Sequence, residues 1–519
     1  MHRCGIVVTR NSSDCYRRLS SNFEANFYGV FSDNRPELAL PYFQTILNHV
    51  DLGKWRAGMR FWGTGSNSAS PGFWEQDFNK MSQLSTDGSG YVKAGYKGIQ
   101  LPTHFSPWKH FYFVSDWGQK NIGAFTSKAF IDYYEFTNNV TFLEHVAYPL
   151  IKLNGDFYAS YMTTEGGNSY NVMHSCAMEG CGAQGPATSQ RIAFSNNPPF
   201  DLAFVKRTFR SLLRYSVTLG VDEDLRAGWE EIVHNIAAYP LTKDEHGHTV
   251  FAQATLNTGP TSTVTDGFPN ASKCNTLLST TSANGARKDT SECGNARYPI
   301  TFFNAMHPGE DIDLESDDGI LAIARQTVND INEMNDYSPT NGLCMAWPPS
   351  ARVVQSTERL LTKFTKALND TMMPNFIPYI ENRPTGGSGC NIENAGATVA
   401  VNDLLASVHG HGANASLRIL PGGWPVGQPI SFQHVRVRGA FTVSASGVGT
   451  GSSYILSSPV HVESLGGNPL VFNWPFTPPP MVQELSSGSS VPTKAAGQQR
   501  YRFETKTGSA YAIRLGKGA

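Results

Sequence analysis

Residues 201–220 read Asp-Leu-Ala-Phe-Val-Lys-Arg-Thr-Phe-Arg-Ser-Leu-Leu-Arg-Tyr-Ser-Val-Thr-Leu-Gly. Leu202, Val205, Phe209, Leu212 and Leu219 recur at helical spacing, and Gly220 follows as a stop. That is one amphipathic helix with one stripe to bury. Working outward, Ile320, Ile323, Val328, Ile331 and Met334 repeat the pattern, and residues 37–52, 123–136, 141–162, 360–368 and 397–408 read the same way. Helices of this kind, arriving in pairs and joined by long Gly/Asn/Ser loops, suit a helical toroid whose loops build a site on one face.

From about Ser416 the periodicity changes. Val435, Val437, Phe441, Val443 and Ala445 fit strand alternation, with a phase shift near Gly439 that predicts a bend or bulge. Residues 454–463, 470–474, 501–504 and 511–515 read as further strands, and 478–480 and 486–490 as turns. The expectation is a mainly α region over residues 1–408 and a β-sandwich of about 100 residues over 409–519. Two long stretches, 60–122 and 163–200, lack periodicity but carry Trp62, Trp74, Trp108 and Trp117, which favours functional loops.

The bulk composition excludes several classes. With 40% hydrophobic and 16% charged residues, the 519-residue chain can build a core and is not globally disordered. A formal charge of −2 without a Lys/Arg-rich run argues against a nucleic-acid partner. No apolar stretch is long enough to span a membrane. Met1–Val8 is too short for a signal peptide, so the expectation is a chain that stays inside the cell or starts late relative to its precursor. Sequons at Asn11, Asn139, Asn270, Asn369 and Asn414 lean toward an extracellular or secretory-lumen location. Cys274 and Cys293 flank a Ser/Thr/Asn/Gly-rich excursion that a disulfide would stiffen, and Cys176 and Cys181 are neighbours; eight reduced thiols are the alternative. The cysteines form no paired CxxC modules and His409-Gly410-His411 is isolated, so no metal and no cofactor is expected.

Three contexts single out polar residues. Glu179 stands in His174-Ser-Cys-Ala-Met-Glu-Gly-Cys-Gly182, a small-residue loop where an apolar pocket would keep a carboxyl protonated as a general acid; capping of a turn is the plainer reading. Glu393, in Gly389-Cys-Asn-Ile-Glu-Asn-Ala-Gly-Ala397, precedes a predicted helix, whose dipole would stabilise it as an anion; simple N-terminal capping is again the alternative. Asn22 and Asn26 lie one helical turn apart, with Glu24 between them on another face, so the amides are placed to orient a sugar or a water.

These segments resemble glycoside hydrolase family 95, the α-L-fucosidase-type enzymes. Asn22-Phe-Glu-Ala-Asn-Phe-Tyr28 resembles that family's Asn-x-Glu-x-Asn-Tyr-Trp segment, followed by Asn34-Arg-Pro-Glu-Leu-Ala-Leu-Pro41. Tyr134-Glu-Phe-Thr, Phe142-Leu and Ala147-Tyr-Pro resemble its helix pair. Asp201, Gly342 with Trp347 and Arg352, and Ile392-Glu-Asn-Ala-Gly396 continue in order, and Leu417–Pro421, Val435–Phe441 and Val460–Ser464 resemble its rear β domain.

The resemblance implies an (α/α)6 six-hairpin barrel followed by a β-sandwich, and inverting exo-hydrolysis of a terminal α-linked L-fucose- or galactose-type sugar from an oligosaccharide or polysaccharide. It makes Glu179 the proton donor, Asn22 the water-binding amide and Glu393 the polarising carboxylate, with Asn26 and Asp201 shaping the pocket; Trp117, from the aromatic-bearing long loop, and Trp347 are further substrate-binding candidates. The chain departs from the family at Ser20, where an asparagine is usual, and at Glu393, often aspartate. It departs again at Ala129 and Ile131, where a His and a Trp are frequent, and at Leu343, in place of a tryptophan. The family's front β domain is missing, so a fragment or truncated lineage is expected. Two other readings stand beside hydrolysis. One is a catalytically dead sugar-binding relative. The other is a polysaccharide lyase on the same toroid, with Tyr170, Asn171 and His174 as its polar set. A phosphorylase would need a basic cluster beside Glu393, which the sequence lacks.

Overall fold

The structure, a computed structural model, describes residues 17–18, 21–57, 59–61, 91–93, 96–102, 104–105, 119–164, 167–173, 175, 196–243, 246–252, 303–333, 342–371, 392–497 and 499–516. Its α-helices of four residues or more are α1 (Ser21–Glu24), α2 (Leu40–Leu47), α3 (Val50–Ala57), α4 (Ile122–Thr137), α5 (Tyr148–Tyr161), α6 (Pro199–Leu219), α7 (Arg226–Asn235), α8 (Asp318–Glu333), α9 (Gly342–Arg352), α10 (Thr357–Thr371) and α11 (Thr398–Leu405). Among the described residues no helix is long and apolar enough to cross a membrane.

The decisive segment folds as its pattern dictates. α6 starts with Pro199 in its first turn, where a missing N–H costs nothing, and ends on Gly220 in the left-handed conformation at φ 68°. Its apolar stripe is enclosed as far as Leu212: Leu202, Val205, Phe209 and Leu212 have 0% exposure, while Leu219 at its end is half-buried. Phe204 meets Phe125 of α4 at 5.0 Å between ring centroids. A second aromatic knot joins α2 to α4, with Phe43 packed on Phe130 at 4.6 Å and on Phe142 at 4.9 Å. Each such ring pair adds about 0.5–1.5 kcal/mol beyond its area burial. α4 closes on Asn138, again left-handed, at φ 55°.

The C-terminal part is β-rich. Its strands are β1 (Ala406–His409), β2 (Ser416–Ile419), β3 (Pro429–Val437), β4 (Phe441–Gly449), β5 (Tyr454–Leu456), β6 (Val460–Ser464), β7 (Leu470–Asn473), β8 (Pro480–Glu484), β9 (Ser490–Val491), β10 (Lys494–Ala495), β11 (Arg500–Phe503) and β12 (Ala510–Leu515). One sheet runs β5-β4-β6-β12-β8-β9 with β3 on the flank of β4; the other runs β10-β11-β7-β2-β1. The pairs are antiparallel except β7 with β2. Alternation turns Val443, Val462, Val482 and Ile513 of the first sheet and Leu470, Phe472 and Phe503 of the second into one shared core. Phe503 meets Tyr511 edge-on at 5.3 Å, bridging the sheets.

Backbone bonds dock this region on the helices. The amides of Gly439 and Ala440 donate to the carbonyl of Glu135 at 2.8 and 3.2 Å, and the amide of Arg436 to that of Ser32 at 3.0 Å.

Several boundaries depart from the sequence reading. The helix expected over 397–408 ends at Leu405, and Ala406–His409 turns into a strand because Ala406, Ser407 and His409 are buried against β2. The helix expected over 37–52 breaks at Asn48 into α2 and α3. The strand expected over 454–463 is two, β5 and β6. The phase shift at Gly439 is the β3–β4 turn, with Gly439 and Ala440 at φ 90° and 62°; the bulge lies between Val443 and Ala445, opposite His434 at φ 54°. Part of the expected turn at 478–480 opens β8, and Ser490 belongs to β9.

Candidate functional site

Two segments far apart in sequence pack backbone to backbone. After α1 the chain tightens into a 3-10 turn, Ala25–Phe27, and the segment Ile392–Ala397 is a second such turn. They approach so closely that a Cβ on Gly396 would fall 2.2 Å from the carbonyl oxygen of Ala25. The backbone of Asn22, in α1 just before the first turn, and that of Glu393, in the second, therefore belong to adjoining segments. Asn26 is half-buried and its amide donates to the carbonyl of Phe23 at 3.2 Å. Phe23 in turn stacks on Tyr42 at 5.1 Å, which fixes the turn against α2.

Glu24, set aside by the sequence reading as lying on another face, is 4% exposed. Neither of its carboxylate oxygens has a hydrogen-bond partner among the described residues. Burial holds its carboxyl well above the usual carboxylate range. Nothing in the local pattern distinguishes this glutamate from a solvated one.

Asp201 occupies the first turn of α6 with 0% exposure. Its Oδ2 accepts from the Ser175 hydroxyl at 3.0 Å and from the Asn121 amide at 3.4 Å. Its Oδ1 is buried without a partner among the described residues. Burial pushes its pKa up to about 7, against the opposing pull of those two hydrogen bonds and of the Lys120 charge. A carboxyl that exchanges its proton near neutrality is chemically suited to acid–base work or to gripping a hydroxyl.

Trp347 packs in the core of α9 at 2% exposure, its ring edge-on to Phe364 at 4.9 Å. Glu179 and Trp117 lie outside the described residues, as do the cysteine pairs Cys176/Cys181 and Cys274/Cys293 and His174. Tyr170 donates its phenol to Glu231 at 3.0 Å, and Asn171 accepts from Asn197 at 2.8 Å, so these two members of the lyase set are engaged with protein groups. No group of His, Cys, Asp and Glu among the described residues has metal-holding geometry.

A buried charge network runs between the helices and the β-rich part. Asp132 of α4 pairs with Lys128 and with Arg207 of α6, the latter at 2.5 Å. Glu310 faces Arg438 at 3.2 Å, Arg207 at 3.6 Å and Lys128 at 4.0 Å, and these cations hold its carboxyl well below the usual range despite burial. Asp313 binds Arg352 at 3.0 Å and accepts the amide of Gly410 at 2.7 Å. Sequence reasoning missed this array because its members come from separate elements with no shared local pattern.

Comparison with known proteins bears on the helical part. Residues 74–248 match the model of the glycosyl hydrolase family 95 catalytic domain, the family that the sequence resembles. No curated protein matches the chain. Among solved structures, one similar chain is described as a kojibiose phosphorylase from the human microbiome, at 11% identity and a TM-score of 0.42, covering 80% of this chain and 48% of that one. Another is an α-L-rhamnosidase of Streptomyces avermitilis complexed with L-rhamnose, at 11% identity and a TM-score of 0.30, covering 80% of this chain and 34% of that one. The chain thus spans about half the length of the first and a third of the second.

Proposed function

We propose that a chain whose residues 74–248 carry a family 95 catalytic-domain match is a glycoside-active enzyme, and that it hydrolyses a terminal α-linked L-fucose- or galactose-type sugar with inversion. In this reading residues 1–408 form an (α/α)6 toroid and 409–519 a β-sandwich behind it. The observation that carries the proposal is the packing of the Ala25–Phe27 turn, which directly follows the Asn22-bearing helix α1, on the Glu393-bearing turn, with Gly396 against Ala25.

Inverting hydrolysis needs a proton on the leaving oxygen and an activated water on the opposite face of the sugar. Glu179 would supply the proton, Asn22 would hold the water, and Glu393 would polarise it. Asn26 and Asp201 would shape the pocket that holds the sugar ring. A carboxyl with a pKa near 7 in such a place can hydrogen-bond a sugar hydroxyl in either protonation state.

The test is Glu179→Gln with an α-L-fucoside and an α-galactoside as substrates. A positioned acid contributes about 10²–10⁴ in rate, so turnover should fall by that factor with an unchanged melting curve. The first-formed sugar, read by proton NMR, should have the inverted anomeric configuration. Unchanged turnover removes Glu179 as the acid; a retained anomer removes the water-on-amide scheme.

A further inference from the structure

About 20 Å along α6 from Asp201, counted at the helical rise over the thirteen residues to Arg214, lies a second concave site. Arg207, Arg210 and Arg214 stand three and four residues apart, hence on one face of α6. With Glu135 at the end of α4, Arg438 after β3, and the loop of His411 and Gly412 after β1, they line a cavity of about 440 Å³. It adjoins a second of about 460 Å³, with which it shares Glu135, Arg214, His411, Gly412 and Arg438. Volumes of this size are those of small-molecule sites, about 300–1,000 Å³.

Four guanidinium groups and one carboxylate line the smaller cavity. Two of the four are committed. Arg207 donates to the Pro308 carbonyl at 2.7 Å and to Asp132; Arg438 donates to the Val408 carbonyl and faces Glu310 and Glu135. The other two keep donors in hand. Arg210 uses Nη1 on Asp311, and Arg214 uses Nη2 on Glu135 and the Tyr215 hydroxyl. Their side chains are 35% and 45% exposed. A guanidinium carries five N–H donors in a planar fork that matches a carboxylate, so each has unspent N–H groups at the cavity.

His411 adds the opposite polarity. Its Nε2 lies 2.7 Å from the Glu310 carbonyl, which can only accept, so Nε2 carries the proton. Burial and the charges of Arg438 and Arg210 hold the ring neutral, with a pKa down at about 4. Nδ1 is then a bare acceptor on a ring that lines both cavities.

We propose that this groove is a second carbohydrate site that takes a uronic acid, its carboxylate on the outward N–H groups of Arg210 and Arg214 and a hydroxyl on His411. Inorganic phosphate is the competing occupant, since the same guanidiniums attract it; a uronic acid adds ring hydroxyls, one of which can donate to His411. The proposal rests on the carbohydrate-handling reading of the chain, but on different residues.

The experiment is titration calorimetry of the full chain at low salt with D-galacturonate, D-galactose and acetate. Galacturonate should bind at least about tenfold tighter than either, since charge-assisted hydrogen bonds are each worth about one power of ten or more. Arg210→Gln/Arg214→Gln should lose about tenfold or more, and Arg210→Lys/Arg214→Lys, which keeps the charge but not the fork, should lose most of it too. Arg210→Gln alone leaves the Glu135–Arg214 pair in place and should still weaken galacturonate by several-fold with an unchanged melting curve. Equal affinity in these variants, acetate binding as tightly as galacturonate, or no galacturonate binding each overturns the proposal. Turnover of the fucoside or galactoside should be unchanged in Arg210→Gln. Catalysis without galacturonate binding sinks this inference alone, and galacturonate binding without catalysis sinks the hydrolase reading alone.

Discussion

Ser175 donates its hydroxyl to Asp201 at 3.0 Å, with the Asn121 amide 3.4 Å from the same carboxylate oxygen. The pair joins Ser175, at the start of the Glu179 segment, to the first turn of α6. Two neutral donors leave the carboxyl half-compensated: burial wins, and its pKa rises to about 7.

That elevation has a sign that can be measured. The folded Asp201 binds its proton more tightly than the unfolded residue, so its contribution to stability is full below about pH 4 and is lost as pH rises through about 7. Asp201→Asn, neutral at every pH, should flatten that slope and stabilise the protein by up to about 4 kcal/mol above pH 7. Urea unfolding at pH 5, 6, 7 and 8 measures it; a parallel slope in the variant contradicts the assignment.

Glu24 makes a sharper case, since neither oxygen is partnered among the described residues. With its carboxyl held well above the usual range, the neutral form dominates in mildly acidic solution. Glu24→Gln should therefore melt within about 1 kcal/mol of the parent at pH 5, whereas Glu24→Leu, similar in size but without polar atoms, should be equal or more stable. Loss of several kcal/mol in Glu24→Gln would mean that the native carboxylate is ionised and paired.

Asp313 behaves oppositely. Against the cost of burial, Arg352 beside it and the backbone amides of Gly410 and Glu315 hold its carboxyl at about 2. Its stabilisation is present above the unfolded carboxylate range near pH 4 and is lost as pH falls toward 2. Asp313→Ala takes the nearest carboxylate from a guanidinium that is 4% exposed and leaves it the Val408 carbonyl at 3.2 Å and Asp403 at 3.9 Å, which costs about 3 kcal/mol. Denaturant titration of the variant, together with hydrogen exchange at the amide of Gly410, reads both consequences.

Gly396 reports on the active-site proposal without touching its polar groups. A methyl there meets the Ala25 carbonyl at 2.2 Å, so Gly396→Ala must push the two 3-10 turns apart. The expected cost is about 1–3 kcal/mol in stability and a fall in kcat of about 10²-fold from misplacement near 1 Å. Steady-state kinetics with a parental rate would separate that contact from function.

The legible parts of the chain were those where one face meets one solvent. α6 declared itself because its stripe is apolar throughout and Gly220 ends it, and β3, β4 and β12 because alternation matches a half-covered sheet. α9 was hidden: Pro348 and Pro349 inside it look like breakers, yet both backbones remain helical with Ser350 bonded back to Ala346 at 2.7 Å. α7 was hidden too, since only Trp229 and Ile232 are fully buried on it. Asp201 and the Asn22 and Glu393 segments were picked out beforehand, while Glu24 and the arginine face of α6 were not. Whether a lone charge is buried depends on neighbours hundreds of residues away, and no local period encodes that.

α4 and α6 are tied at three levels: Asn121 to Asp201 at their amino ends, Asp132 to Arg207 midway, and Glu135 to Arg214 near their carboxyl ends. Two rods pinned in this way cannot slide past one another without breaking a buried pair. Axial slippage of one helix against the other would have to give up all three contacts together, so the register of this helix pair is set by polar pins as well as by its rings.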